Sequence, residues 1–453
     1  MTVLDNPTIA RITKSRAFAD LKSRLSTRPG WPAGFAGAYL GMGARDPVFT
    51  GYEHAALVIG PPRSGKTSSV MIPALMLWPG PAVVTSTKPD ILDITAAHRS
   101  KSGQVWVWDP TASTTIPLGA RSLRWSPVQG CADSNTAIDR AWMLTSSARP
   151  NPSADGQHWT ERAAALLSPL LHAAAVEGRA LDQVMTWVHR RETWDALDIL
   201  SAHPSSTLAH NLLAGIANTD SRELSGIWST ADGILAAYRS TSVLEAACHP
   251  NFDPEAFAHS GDTVHVIAPA TRAHQYAPMV CGLLDQIRHH TLARPNPWPP
   301  MLWALDEAAT IAPLPNLPGI VADAGAQGLL VLACLQDLSQ ARHRWGAQAD
   351  GFLTLFATTL LLPGVADPVT LQTVATLAGK VDRPQYSTSR GRQGTQRTVS
   401  TRSLPLLPEN VIAHGRAGHA LVLRATYPSW LRLTPWHSTP WALQLLQPER
   451  NGR

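Results

Sequence analysis

One stretch of eight residues, GPPRSGKT at positions 60–67, constrains the fold of this chain more than any other. It fits the phosphate-loop pattern G-x-x-x-x-G-K-[ST] without a mismatch. The apolar run at 55–59 before it predicts a buried strand, and residues 68–78 predict a helix. A strand that turns through glycines into a helix directs backbone N–H groups and the positive end of the helix dipole at one point. The stretch therefore predicts a polyphosphate site.

The side chains of this loop have distinct expected roles. Lys66 is expected to reach the β- and γ-phosphates, and the Thr67 hydroxyl to take one position on Mg²⁺. Pro61 and Pro62 lack N–H donors, so two potential phosphate contacts are missing from the loop. The predicted nucleotide-binding residues are Gly60, Arg63, Ser64, Gly65, Lys66, Thr67 and Ser68.

A second apolar run, at 301–305, ends in two acidic residues and predicts the other half of the site. Asp306 is expected to hold Mg²⁺, and Glu307 to polarise the water that attacks the γ-phosphate. Gln336 ends the next apolar run and is expected beside that water. Carboxylates at a strand end also cap helices, and Gln336 could be an ordinary polar strand terminus. The predicted catalytic residues are Glu307, Gln336 and Lys66.

The 453 residues are enough for two or three domains. Apolar runs alternate with helical stretches at 45–117 and 255–440, which predicts an α/β domain with a mostly parallel sheet. Residues 118–254 are rich in Ala and Leu at helical spacing and predict an inserted all-α domain. Residues 1–44 are interpreted as an N-terminal arm and 441–453 as a tail.

The charge and the cysteine content limit which partners and which cellular compartment the sequence indicates. The formal net charge of +5 permits an anionic partner without requiring one. Residues 383–402 carry five arginines and no acidic residue, with Tyr386 as the single aromatic. This segment could line a pore or be a solvated loop.

Four scattered cysteines indicate neither a zinc site nor a disulfide framework. With no signal peptide or membrane-spanning run, a cytoplasmic location is expected.

The order of these pieces resembles the conjugative coupling proteins of type IV secretion, the TraG/TraD family. The resemblance rests on the phosphate loop, the helical insertion, the LDEA sequence at 305–308 and LQDLSQ at 335–340, in that order. TSTKPD at 85–90 and VWDP at 107–110 are similar to smaller motifs of the family. The likeness runs from about residue 53 to 439.

The resemblance implies a RecA-like P-loop ATPase domain with an all-α domain, assembled as a hexameric ring. Such a ring uses ATP and Mg²⁺ to move single-stranded DNA, with a bound relaxase or other secreted protein, toward the type IV secretion machinery. Candidate DNA contacts are Arg390, Arg392 and Arg397. Two alternatives remain open: an ATP-gated adaptor for protein substrates, and a chromosome-partitioning type of DNA translocase.

Two further features depart from the family pattern. Family members usually have N-terminal membrane helices, so attachment to the cytoplasmic face of the membrane is expected to need a partner. The family often has an arginine before the strand that ends in Gln336, whereas residues 322–328 contain none. Another arginine, such as Arg342 or Arg344, is expected to act on a neighbour's nucleotide, or hydrolysis is slow.

Overall fold

The computed structural model describes residues 37–439, apart from 44–46, 52, 149–153, 295–298, 392–393 and 425–426. Most of the predicted arm and the whole predicted tail therefore lie outside the described residues. Among the described helices, none combines the length and the apolar character needed to cross a bilayer.

The centre of the fold is a twelve-stranded sheet in the order β2-β1-β14-β13-β10-β3-β9-β8-β4-β7-β5-β6. From β10 to β6 every neighbouring pair is parallel, and β13, β14, β1 and β2 extend that sheet as antiparallel strands. The strands are β1 Tyr39–Met42, β2 Pro47–Phe49, β3 Ala56–Ile59, β4 Ala82–Ser86, β5 Val105–Trp108, β6 Arg121–Ser122, β7 Thr263–Ile267, β8 Met301–Leu305, β9 Leu329–Leu335, β10 Thr358–Leu361, β11 Lys380–Gly391, β12 Gly394–Pro405, β13 His419–Arg424 and β14 Tyr427–Arg432.

Helices cover both faces of the parallel part and form a block between β6 and β7. They are α1 Ile72–Met76, α2 Asp90–Arg99, α3 Ser134–Ser147, α4 Ala154–Val176, α5 Leu181–Arg190, α6 Trp194–Ala202, α7 Thr207–Ala217, α8 Ser221–Ile234, α9 Thr241–Cys248, α10 Pro254–Ala258, α11 Ala273–Leu292, α12 Ala308–Ile311, α13 Leu317–Asp323, α14 Leu338–Trp345, α15 Phe352–Leu355, α16 Pro368–Ala378 and α17 Glu409–His414.

The central strands are continuous apolar runs because both of their faces are covered. Every residue of β3, β8 and β9 is buried. Successive residues point to opposite faces: Leu57 and Ile59 of β3 belong to one apolar cluster, and Ala56 and Val58 to the other. The predicted α/β fold with a mostly parallel sheet and a helical insertion is therefore confirmed.

The helical block shares its core with one face of the sheet. Helix α11 joins the two, because Trp125 donates from Nε1 to Gln286 Oε1 on that helix at 2.7 Å. The Trp125 ring also lies over Gly282, where an added Cβ would come within 2.7 Å of it. The insertion is thus packed onto the sheet through a close helix–ring contact.

Several predicted boundaries differ from the structure. Strand β1 lies in the sheet although it precedes residue 45, and β6 lies in the sheet although it follows residue 117. Within the apolar run at 353–362, the first residues belong to α15 and only Thr358–Leu361 form a strand, β10. The arginine-rich segment is a long β-hairpin formed by β11 and β12.

Candidate functional site

The phosphate loop connects β3 to a π-helical turn, Thr67–Met71, which continues into α1. Gly65 has a φ of +95°, a value that glycine adopts without strain. The Lys66 ammonium donates to the carbonyls of Gly60 and Pro61, the latter at 3.0 Å. Only 7% of Lys66 is exposed. The lysine is therefore folded back into its own loop, close to where a phosphate would sit.

The second half of the site comes from β8, which lies two strands from β3 with β9 between them. The Thr67 hydroxyl donates to Asp306 Oδ2 at 3.1 Å. From β4 on the other side, Thr85 donates to the Asp306 backbone carbonyl at 2.8 Å. The structure thus brings together the two residues predicted to hold Mg²⁺, although they are 239 positions apart in the sequence.

Asp306 is buried, with 8% of its surface exposed, and this burial affects the pKa of its carboxyl. Burial raises the pKa of its carboxyl, and the neighbouring Glu307 charge raises it further. The hydrogen bond from Thr67 and the charge of Lys66 oppose these effects. A divalent cation placed between Thr67 and Asp306 would favour the ionised carboxylate, so the donor set fits a hard cation.

Glu307 and Gln336 form the next contact along the same edge of the sheet. Gln336 Nε2 lies 3.3 Å from Glu307 Oε2 and 3.4 Å from Oε1. The Gln336 backbone N–H donates to Gln340 on α14 at 3.0 Å, which anchors the end of β9. Glu307 itself is left-handed, with φ 53° and ψ 46°. A non-glycine residue in this region is strained, and its left-handed conformation turns the chain at the end of β8.

A cavity of about 390 Å³ lies beside the phosphate loop. One wall is the loop itself with Arg63, Ser64 and Gly65, followed by Ser68 and Ser69. Within the described part of the chain, the buried Ser64 hydroxyl has no hydrogen-bond partner, so it is available to a bound group. The opposite wall was missed from the sequence and consists of Pro363, Ala417, Gly418, His419, Leu433 and Pro435. These residues carry no phosphate-binding motif.

The two arginines suggested for action on a neighbouring subunit are engaged within their own chain. Arg344 is 9% exposed and donates to the carbonyls of Pro313, at 2.8 Å, and Ser147, at 3.0 Å. Arg342 forms an ion pair with Asp367 at 2.8 Å. Arg344 in particular is not placed to reach another subunit.

Two of the three residues predicted to contact DNA lie in the β11–β12 hairpin and not at the nucleotide site. Arg390 lies in β11 and Arg397 in β12. Arg392 lies outside the described residues.

A phosphate loop after one parallel strand, with an acidic strand end two strands away and a polar strand end between them, defines a RecA-like P-loop fold. The family model for type IV secretory system conjugative DNA transfer matches residues 14–430. The chain belongs to that family, which confirms the resemblance to the coupling proteins.

Individual relatives agree with this assignment. The chain is 24% identical over 419 residues to the conjugal transfer protein TraG of Agrobacterium fabrum (strain C58), covering 86% of this chain and 61% of that protein. It is 23% identical over 261 residues to a TraG of Escherichia coli, covering 52% of this chain and 39% of that protein. This chain thus spans less than two thirds of the length of either relative.

Solved structures show the same fold. The bacterial conjugative coupling protein TrwBdeltaN70 has a TM-score of 0.68 at 18% identity, over 92% of this chain and 91% of that one. TrwB in complex with ADP and Mg²⁺ has a TM-score of 0.67 at 17% identity, over 92% of each chain. TrwB with a non-hydrolysable ATP analogue has a TM-score of 0.65 at 17% identity, over 95% and 94%.

Proposed function

We propose that this protein is an ATP-hydrolysing motor that couples DNA, with a bound relaxase or other secreted protein, to a type IV secretion channel. The observation that carries the proposal is the Thr67–Asp306 contact of 3.1 Å beside the Glu307–Gln336 contact. These are the residue types that bind and hydrolyse a nucleoside triphosphate. Membership of the conjugative DNA transfer family supports DNA as the transported cargo.

ATP and Mg²⁺ fit the residues present. Mg²⁺ is commonly held by one or two protein ligands together with substrate phosphates and water, as Thr67 and Asp306 would allow. When bound, the ion neutralises charge on the β- and γ-phosphate oxygens. The complex of TrwB with ADP and Mg²⁺ supports a nucleotide and Mg²⁺ as the cofactors of this chain.

The chain's own residues divide the remaining work. Lys66 exchanges its carbonyl partners, Gly60 and Pro61, for phosphate oxygens. Glu307 accepts a proton from the attacking water, which needs its carboxylate ionised and free of other strong donors. The Gln336 contacts, at 3.3 and 3.4 Å, are long for hydrogen bonds. They therefore orient the Glu307 carboxylate without binding it tightly.

The assembly and its location follow from the family assignment as proposals. We infer a homo-oligomeric ring, hexameric when active, that encloses single-stranded DNA at the cytoplasmic face of the membrane. A partner of the secretion machinery would tether it there. An arginine that completes the site from a neighbouring subunit would be one other than Arg344, because Arg344 is buried in its own chain.

The test is ATP turnover measured with and without single-stranded DNA. Wild-type protein should hydrolyse ATP and be stimulated by the DNA. Lys66→Ala should abolish nucleotide binding or turnover. Glu307→Gln should keep nucleotide binding and lower kcat by about 10²–10⁴-fold, the usual contribution of a general base. Folded wild-type protein without turnover under either condition would refute the motor, and retained turnover in Glu307→Gln would show that the base is misassigned.

One observation favours a second candidate, an ATP-gated adaptor that recruits protein substrates without moving DNA. Arg344 is buried in its own chain, which removes one candidate for fast hydrolysis in trans, and the other candidate, Arg342, is paired with Asp367. Very slow, DNA-independent turnover together with nucleotide-dependent oligomerisation would support the adaptor. Stronger stimulation by double-stranded than by single-stranded DNA would instead support a partitioning type of translocase.

A further inference from the structure

The β11–β12 hairpin is a separate two-stranded sheet of two 12-residue strands. Its pairing is regular from Lys380 opposite Pro405 to Gly391 opposite Gly394. At about 3.4 Å per residue, each strand is about 40 Å long. The hairpin is therefore a long ribbon that leaves the body of the α/β fold.

The anchoring contacts of the ribbon that the structure describes lie at its base. Leu406 donates from its backbone N–H to the Gly379 carbonyl at 2.8 Å, and Leu407 is buried in the larger apolar cluster of the fold. Beyond the base, the described side chains are exposed on both faces; they are those of residues 382–386 and 399–403. An isolated two-stranded ribbon is at best marginally stable in water. The described exposed part of this ribbon is thus open to a partner.

The net charge of the ribbon equals the net charge of the whole protein. Residues 380–405 contain six basic residues and one acidic residue, a net charge of +5, and the complete chain also has +5. The remaining residues therefore sum to zero. The basic residues are Lys380, Arg383, Arg390, Arg392, Arg397 and Arg402. Four serines and four threonines lie among them, and hydroxyl groups are common donors to phosphate oxygens.

The pairing register gives the two faces different chemistry. Tyr386 is opposite Val399, and their exposed fractions are 70% and 59%. Arg390 and Arg397 occupy register positions on the same face as this pair, because side chains alternate along a strand. Arg383 is opposite Arg402 on the other face, and both are exposed. One face thus combines an aromatic ring with cationic positions, and the other has a cationic pair near the base.

We propose that the β11–β12 ribbon binds single-stranded DNA, with Tyr386 and Val399 as a platform for one base and with Arg383, Arg390, Arg397 and Arg402 at the backbone phosphates. Stacking on an aromatic ring needs an unpaired base, whereas a cationic surface alone would bind any polyanion. This inference rests on the proposed function, because it assigns the DNA contact of the same motor.

The test measures binding of a fluorescently labelled oligo(dT) to the full chain, without ATP, over a range of salt concentrations. The double variant Arg383→Gln/Arg402→Gln removes two phosphate contacts. The slope of log affinity against log salt should fall in magnitude by about 1.4, at about 0.7 per contact on a single strand. The matched control, Arg190→Gln/Arg222→Gln, removes the same charge from exposed positions of the helical block and should leave the slope unchanged.

Tyr386→Ala should behave differently from the arginine variants. It should weaken binding by about 5- to 150-fold, the range for one stacked base, and leave the salt slope unchanged. Unchanged affinity in Tyr386→Ala would overturn the stacking platform. An effect of the arginine variants on binding to anionic phospholipid vesicles but not to oligo(dT) would overturn the assignment to DNA.

A deletion separates this inference from the proposed function. Residues 381–404 can be replaced by an Asn-Gly turn that joins Lys380 to Pro405, which are already paired. The shortened protein should bind ATP and unfold like the wild type but lose oligo(dT) binding. If the shortened protein binds DNA and is stimulated by it as before, the assignment of DNA binding to the ribbon is wrong and the proposed motor function is unaffected. If the wild type binds DNA through the ribbon but never hydrolyses ATP, the proposed motor function is wrong and the assignment of DNA binding to the ribbon is unaffected.

Discussion

Arg63 lies in the phosphate loop with a φ of +64°, in the left-handed region. For a residue with a Cβ this conformation costs about 1–2 kcal/mol. Glycine avoids that cost but gives up about 0.4–1 kcal/mol through the greater freedom of the unfolded chain. Arg63→Gly should therefore be about 1 kcal/mol more stable than Arg63→Ala, which keeps the strain and loses the same charged side chain.

The same two variants test whether Arg63 contacts the nucleotide. Arg63 lines the cavity beside the loop, and its side chain is exposed. An exposed ion pair contributes up to about 1 kcal/mol, so both variants should weaken nucleotide binding by up to about fivefold. Nucleotide affinity and stability should thus change independently of each other.

The stability is measured by urea unfolding without nucleotide, with tryptophan fluorescence as the signal. The affinity for nucleotide is measured by titration with a fluorescent ATP analogue in excess Mg²⁺. The chain has 16 tryptophans to report unfolding. Equal stability of the Ala and Gly variants would refute the argument from backbone strain. Wild-type affinity in both variants would show that the guanidinium does not reach the nucleotide.

Two other predictions concern buried charges. Burial raises the pKa of Asp306, so Mg²⁺-dependent nucleotide binding should strengthen as pH rises through that pKa, and Asp306→Asn should remove this pH dependence in the same titration. Because the folded chain holds this proton more tightly than the unfolded chain, stability falls as pH rises through the raised pKa, and Asp306→Asn should be more stable than wild type at neutral pH. Arg99 is 1% exposed and donates to Trp78, Gly80 and Thr263. Arg99→Met should lower the free energy of unfolding by about 3–5 kcal/mol in urea, and an unchanged urea midpoint would contradict this.

The parts of the fold that could be predicted are those whose signal is local. Strands β3, β8 and β9 are buried on both faces, so each is a continuous apolar run, and each ends in the residues that form the site. The contact of Thr67 with Asp306 could be predicted because the carboxyl ends of parallel strands lie along one edge of a sheet.

The parts that could not be predicted depend on distant pairing or on backbone conformation. Strand β1 joins the sheet only by pairing with β14, far away in the sequence, and neither has a strong apolar pattern. The described side chains of the ribbon beyond its base are exposed, and β11 and β12 lack the alternation of apolar and polar residues that marks a half-buried strand. The left-handed backbone of Glu307 has no sequence signal at all, because glutamate does not favour it.

The path of the chain places the ribbon between two segments of the cavity wall. The chain leaves that wall at Pro363, runs through α16, β11, β12 and α17, and returns to it at Ala417. The two ends are tied together, because Gly364 donates from its N–H to the Ala413 carbonyl at 2.8 Å. An added Cβ at Gly415 would also come within 2.8 Å of the Pro363 ring. A shift of this wall on nucleotide binding would therefore be carried to the base of the ribbon. If ATP changes the affinity of the ribbon for DNA in this way, linkage requires DNA to change the affinity for ATP by the same factor.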